Sequence, residues 1–163
     1  MEGRRVAWDI EGYVARVRAA CFVCELVAGT PGYEHDVIWR DDTAVVFLAK
    51  YPVAWGHVLV VPVEHREHAI SDFSLDEYLH LQGVVHRAGT ALSSVVPTER
   101  LYVLSLGSQQ GNRHVHWHLL PLPPGVPYDE QQTALFDIAR GWLEFDPDDL
   151  TALAGSITAA MVP

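Results

Sequence analysis

Three histidines stand at alternate positions in Arg113-His114-Val115-His116-Trp117-His118-Leu119-Leu120-Pro121. On a helix these positions spread around the cylinder. On a strand they share one face, because side chains alternate sides with period two. Val115, Trp117 and Leu119 then share the other face, as on a strand half-buried against a core. Val and Trp favour strands, and Pro121 is expected to end the run. Neighbouring imidazoles would lie about 7 Å apart at roughly 3.3 Å per residue. Such a row could be a polar outer face of a sheet. It could hold a catalytic metal, since imidazole is a common zinc ligand. It could also present one nucleophilic imidazole with a helper on either side.

A second reactive pair is Cys21-x-x-Cys24. A redox pair of this spacing belongs with a thioredoxin-like βαβ context, and no such pattern surrounds it. A closed zinc site needs two further ligands. His35, His57, His65, His68 and the histidine row are the candidates. Buried, reduced thiols without metal are the plain alternative.

The elements that must position these groups follow from patterning. Trp8 to Ala19 reads as a short amphipathic helix opening at Asp9. Cys21 to Ala28 follows, stopped by Gly29-Thr30-Pro31-Gly32. Strands are expected over 36–40, 43–48 and 57–63, with Asp41-Asp42 as a turn and Pro52 as a break. The third is nearly all apolar and therefore central. Ser74-Leu75-Asp76-Glu77 is a capping-box pattern opening a long helix to about Ser94. Two more strands, 100–106 and 112–120, precede a proline-rich stretch from Pro121 to Pro127. Helical segments over 130–143 and 147–161 complete the expected elements. This order implies an α+β fold: a mostly antiparallel five-stranded sheet, a long helix on one face, and C-terminal helices.

The 163 residues suffice for one domain with a sizeable core. No segment approaches the roughly 18 uninterrupted apolar residues of a membrane span, and the N-terminus has no secretory pattern. A cytoplasmic protein is expected. The net charge of −10 argues against a nucleic acid partner, whose binders show a basic face.

The run His114-x-His116-x-His118 followed by Leu119-Leu120 resembles the signature of the histidine triad (HIT) family of nucleotide hydrolases and transferases. Gly56-His57 through Glu64-His65 also follows the family pattern without a gap. The resemblance covers about residues 20–123, within a single domain of 1–163; the helix 8–19 and a helical extension 128–163 lie outside it. It implies a bacterial-type structural zinc on Cys21, Cys24, His65 and His114. It implies His116 as nucleophile, His118 at the phosphate and His57 beside the nucleophile. Gln110 occupies the place of a family glutamine in the phosphate loop; Asn112 is a substitute donor in a loop about two residues shorter. Expected activity is hydrolysis at the α-phosphate of a nucleoside phosphate derivative, a phosphoramidate or dinucleoside polyphosphate, through a nucleotidyl-histidine. A homodimer is expected, since the long helix has more apolar positions than one face needs.

Two positions depart from the family. Ala49 stands where an acidic or amide residue grips the ribose, and Leu122 where a polar residue follows the triad proline. Ala49 implies weak discrimination between ribose and deoxyribose. Lys50 next door is expected to point to the other side by strand alternation. The rival readings are a zinc-stabilised domain that binds a nucleotide or a protein without turnover, and a zinc hydrolase using all three triad histidines.

Overall fold

The computed structural model describes residues 3–161. In chain order its elements are β1 (Arg4–Val6), α1 (Ile10–Ala19), α2 (Phe22–Ala28), β2 (Val37–Arg40), β3 (Ala44–Leu48), β4 (Val58–Pro62), α3 (Leu75–Val95), β5 (Arg100–Ser105), β6 (Trp117–Leu122), β7 (Trp142–Glu144) and α4 (Pro147–Ala160). Three 3-10 turns lie between β6 and β7. The fold is α+β. An antiparallel sheet runs in the order β2-β3-β4-β6-β5, and a small second sheet pairs β1 with β7.

Alternation assigns the two faces of the main sheet. Ala44, Val46, Leu48, Val58, Val60, Trp117 and Leu119 point to α3 and α4 and form the larger core. Val45, Phe47, Leu59 and Val61 point the other way, to a smaller core closed by α2 through Val23 and Phe22. Leu59 pairs with His118, so the triad histidines share this second face. Val115, Trp117 and Leu119 all reach the larger core.

Local signals explain most element ends. Asp9 caps α1 by accepting from the Gly12 N–H at 3.0 Å. Ser74 and Glu77 form the reciprocal capping box of α3. Gly29 ends α2 in the left-handed conformation, φ 72°. Asp41 Oδ1 accepts from the Thr43 and Ala44 N–H groups and makes the β2–β3 turn.

Two expectations differ. The regular part of the triad strand begins only at Trp117, because the Val115 N–H turns to the Arg66 carbonyl at 2.7 Å. The strand then runs through Pro121 to Leu122. The β4–β6 ladder covers only Val58–Val60 against Leu119–Trp117. Pro121 and Pro62 lie beyond opposite ends of that ladder, where a missing N–H costs no β4–β6 bond.

The helix expected over 130–143 is absent. Tyr128–Glu130, Gln132–Phe136 and Ile138–Arg140 are short 3-10 segments, and 142–144 is strand. Gln132 sits at φ 57°, which interrupts any helix. Asp137 starts a new turn by accepting from the Ala139 N–H at 2.9 Å. The segment then reaches β1, whose Arg4 guanidinium pairs with Glu144. Gly141, at φ 73°, is required there: a Cβ would collide with the Val6 carbonyl.

This two-stranded clamp also holds a loop of the site, since the Leu143 N–H donates to the Pro52 carbonyl at 2.7 Å. Gly141→Ala is expected to destabilise the chain by about 1–3 kcal/mol from the left-handed backbone alone. Urea unfolding of the two proteins measures it.

Candidate active site and metal centre

The triad histidines take three different sets of partners. His114, 1% exposed, uses both ring nitrogens. Its Nε2–H donates to the Pro62 carbonyl at 2.9 Å. Its Nδ1, thereby a lone pair, lies 3.5 Å from Cys21 Sγ and 3.7 Å from Cys24 Sγ. His65 Nδ1 lies 3.3 Å from Cys24 Sγ, and its Nε2 faces the Glu67 carboxylate at 3.2 Å. One donor atom from each of Cys21, Cys24, His65 and His114 falls within 4.8 Å of the others.

These distances test the fit of a zinc ion. Ideal bonds of about 2.3 Å to sulfur and 2.0–2.1 Å to nitrogen give tetrahedral S···N edges of about 3.5 Å, and the three observed edges span 3.3–3.7 Å. Both imidazoles also present the correct tautomer, each with its far nitrogen hydrogen-bonded to an oxygen. Burial and the neighbouring Cys21 thiol push the Cys24 thiol up to about 11 in the metal-free chain. Of the three triad histidines, the candidate metal cluster among the described residues takes only His114. An all-histidine catalytic metal site is therefore not assembled.

His116, 5% exposed, donates from Nδ1 to the carbonyl of His114 at 2.8 Å. Its Nε2 is left as a lone pair, and the ring lines a cavity of about 520 Å³. Burial holds its pKa below the ordinary imidazole value, so the lone pair is free at neutral pH.

His118 and His57 form a directional chain. The Val53 N–H donates to His57 Nδ1 at 3.3 Å. Neutral His57 must then carry its proton on Nε2, which donates to His118 Nδ1 at 2.9 Å. His118 is left with Nε2–H as its only free polar atom, a donor. His57 is thus hydrogen-bonded to His118, and it lines the same cavity as His116. Burial pushes His57 down to about 3 and His118 to about 2, which keeps both neutral. The loop 51–53 that sets this relay is the one held by β7.

The loop before the triad differs from expectation in one residue. Gln110 is turned away from the cavity, its carbonyl and Oε1 both accepting from Arg18 at 2.9 and 3.1 Å. Ser108 and Asn112 line the cavity in its place. Asn112, at φ 55°, donates from Nδ2 to Tyr13 Oη at 2.6 Å. Ala49 lines the cavity as expected of its position, and so does Lys50. β3 ends at Leu48, so alternation does not extend to Lys50; its Nζ donates to the Gly32 carbonyl at 3.3 Å.

The missed lining residues come from both chain ends. Trp8, Tyr13 and Val17 approach from the N-terminal side, Phe136 and Ile138 from the 3-10 turns. Phe136 stands edge-on to His118 with centroids 5.6 Å apart. The aromatic content of Trp8-x4-Tyr13 was the available signal, yet nothing local tied it to residues a hundred positions away.

The architecture and the disposition of these histidines are those of the HIT fold. The HIT domain model matches residues 31–124, more than half of the chain, and the protein belongs to that family. An uncharacterized HIT-like protein of Saccharolobus solfataricus is 30% identical over 105 residues, covering 62% of this chain and 73% of that one. Another, of Mycoplasma genitalium, is 34% identical over 110 residues, covering 64% and 73%. A hypothetical histidine triad nucleotide-binding protein of Sulfolobus tokodaii superposes with TM-score 0.69 at 22% identity, covering 86% of this chain and 91% of that one. A zinc-bound histidine triad family protein of Mycobacterium smegmatis gives 0.67 at 20%, covering 88% and 94%.

Acid should unfold the protein by way of the His57–His118 pair. Their folded pKa values, about 3 and about 2, lie below the unfolded value near 6.5. The unfolded chain therefore binds more protons between those limits, and stability falls as pH drops below about 6.5. Melting temperatures from pH 7.5 to 4.5 should decline, less steeply in His57→Gln. An equal slope in both proteins would count against the pair as the source.

Proposed function

We propose that the protein hydrolyses a nucleoside phosphate derivative at its α-phosphorus, through a nucleotide covalently held on His116. The observation that carries this reading is the paired arrangement of free ring atoms: a nitrogen lone pair on His116 and an N–H donor on His118, both at the cavity.

The Nε2 lone pair of His116 attacks phosphorus and forms an N–P bond. The bond to the leaving group breaks with its electron pair, and the leaving atom takes a proton from solvent. Water then attacks phosphorus, the N–P electron pair returns to Nε2, and the water's proton is released. The intermediate divides one displacement into two easier ones. Charge that develops on the phosphoryl oxygens is met by His118 Nε2–H, held in place by His57 and the Val53 N–H. The hydroxyl of Ser108 is a second candidate donor at the cavity.

Cys21, Cys24, His65 and His114 would hold a structural zinc ion. Its chemistry is to fasten α2 to the segment after β4 and to the start of the triad. The donor geometry supports this, and so does the zinc in the Mycobacterium smegmatis neighbour. The chain acts as a two-fold dimer in this reading. Leu75 and Leu79, 70% and 56% exposed on α3, and the free edge strand β5 with exposed Val103 are the surfaces available for it.

Steady-state assay with a fluorogenic adenosine phosphoramidate tests the activity. His116→Ala should lose at least about a thousandfold in kcat/KM while keeping its fold and its nucleotide affinity. An adenylyl adduct seen by intact mass in His116→Ala would overturn the assignment. A wild-type protein that binds nucleotide without turnover would favour the non-catalytic reading. Metal analysis of freshly purified protein should give one zinc per chain, lost in Cys24→Ser together with several degrees of thermal stability. Light scattering at micromolar concentration should give twice the mass of one chain.

A further inference from the structure

His35 has no part in the metal cluster or the His57–His118 relay, yet it lines the same cavity as His116. Its Nδ1 lies 2.8 Å from the Tyr33 carbonyl. A carbonyl can only accept, so Nδ1 carries the proton and the neutral ring presents Nε2 as an acceptor. Among the described residues Nε2 has no hydrogen-bond partner. Burial lowers the pKa of His35, which keeps that nitrogen an acceptor at neutral pH.

The surroundings restrict what the acceptor can meet. The His35 ring stands edge-on to Phe47 at 4.9 Å between centroids and beside Phe22 at 6.1 Å. Phe22 is in turn edge-on to His116 at 6.1 Å. The phenyl ring of Phe22 thus neighbours both the nucleophile and the acceptor. Phe22, Leu59 and Ala49 of the smaller core wall this end of the cavity together with Tyr33 and Lys50, whose Nζ is committed to the Gly32 carbonyl at 3.3 Å. None of the cavity-lining residues is a carboxylate among the described residues. A sugar here would leave most of its hydroxyls without partners. A flat aromatic base would cover the apolar walls and could offer one N–H at its edge. The base edge is also the part of a nucleoside phosphate farthest from phosphorus, and His35 lines the same cavity as His116 with Phe22 beside both rings.

Building on the nucleotide reading above, we infer that His35 is a specificity-determining residue that accepts a hydrogen bond from the exocyclic amino group of a nucleobase. The protein therefore selects nucleotides with an amino-bearing base edge and depends little on the sugar. His35 touches only the base and takes no part in the bond-making steps.

Calorimetry on the full chain tests this without requiring turnover. The probes are adenosine monophosphate, purine riboside monophosphate (which lacks only the amino group) and deoxyadenosine monophosphate. Loss of the amino group should weaken binding about tenfold, a typical effect of leaving a buried polar atom unpaired. Loss of the 2′-hydroxyl should change it less than about threefold, since Ala49 offers no side-chain acceptor. His35→Phe, which preserves a flat ring, should abolish the difference between the first two probes. His35→Gln should restore part of it through its amide oxygen. Equal wild-type affinities for the first two, or a difference that survives in His35→Phe, overturns the His35 assignment alone. A tenfold penalty for the deoxy probe that vanishes in His35→Phe overturns it in favour of sugar recognition. Failure of all three probes to bind folded protein overturns both this inference and the nucleotide reading.

Discussion

One buried, uncharged imidazole sets the geometry of the site. His114 is 1% exposed and has no unused polar atom. Its Nε2–H is committed to the Pro62 carbonyl, and its Nδ1 faces two cysteines. Its own carbonyl receives the Nδ1–H of His116. The tautomer of the proposed nucleophile therefore follows from the backbone of a residue whose side chain is fixed by a different cluster. Burial pushes the pKa of His114 down to about 4, because a charged ring here would face desolvation and the neighbouring His65 and His116 rings. The pattern of alternate histidines is compact for this reason. In the proposed reading one residue anchors, the next on that face reacts and the third assists, and all three share one backbone.

A second consequence concerns charge. The chain is acidic overall, yet the cavity is lined by Arg16 and Lys50 and by no carboxylate among the described residues. The negative surface is kept away from the place where an anionic phosphate would sit. Local sign, not net sign, decides what such a cavity accepts.

Much of this was legible in the sequence because it is encoded locally. Strand alternation put His114, His116 and His118 on one face and Val115, Trp117 and Leu119 in the core. Ser74 and Glu77, three positions apart, announce α3. The Cys21-x-x-Cys24 pair drew in His65 and His114 only through family resemblance, since spacing alone left five other histidines as candidates. Illegible parts depend on contacts between distant segments. Gln110 held the right register, but Arg18 on α1 turns it away. His57 pairs with His118 because β4 and β6 bring Leu59 opposite His118, a register that no short window contains. The 130–143 stretch has helix-forming residues, but its path is set by β1 and by the cavity it must cover. His35 was read only as a spare metal ligand, since its tautomer depends on the Tyr33 carbonyl and its setting on Phe22 and Phe47.

The pairing of β1 with β7 also bears on the order in which the molecule can be made. Arg4 and Glu144 are 140 positions apart in sequence. Strand β1 must wait for β7, made well over a hundred residues later, before it has a partner. The main sheet, the candidate metal ligands and the triad histidines are all complete by residue 122, so they can come together while β7 is still unmade. Until then the loop 51–53 lacks its tether to Leu143, and the cavity stands open on the side of Phe136. During synthesis the triad histidines are thus placed before the walls that enclose them, and only the docking of α4 onto α3 and β2 involves residues made later than those that close the pocket.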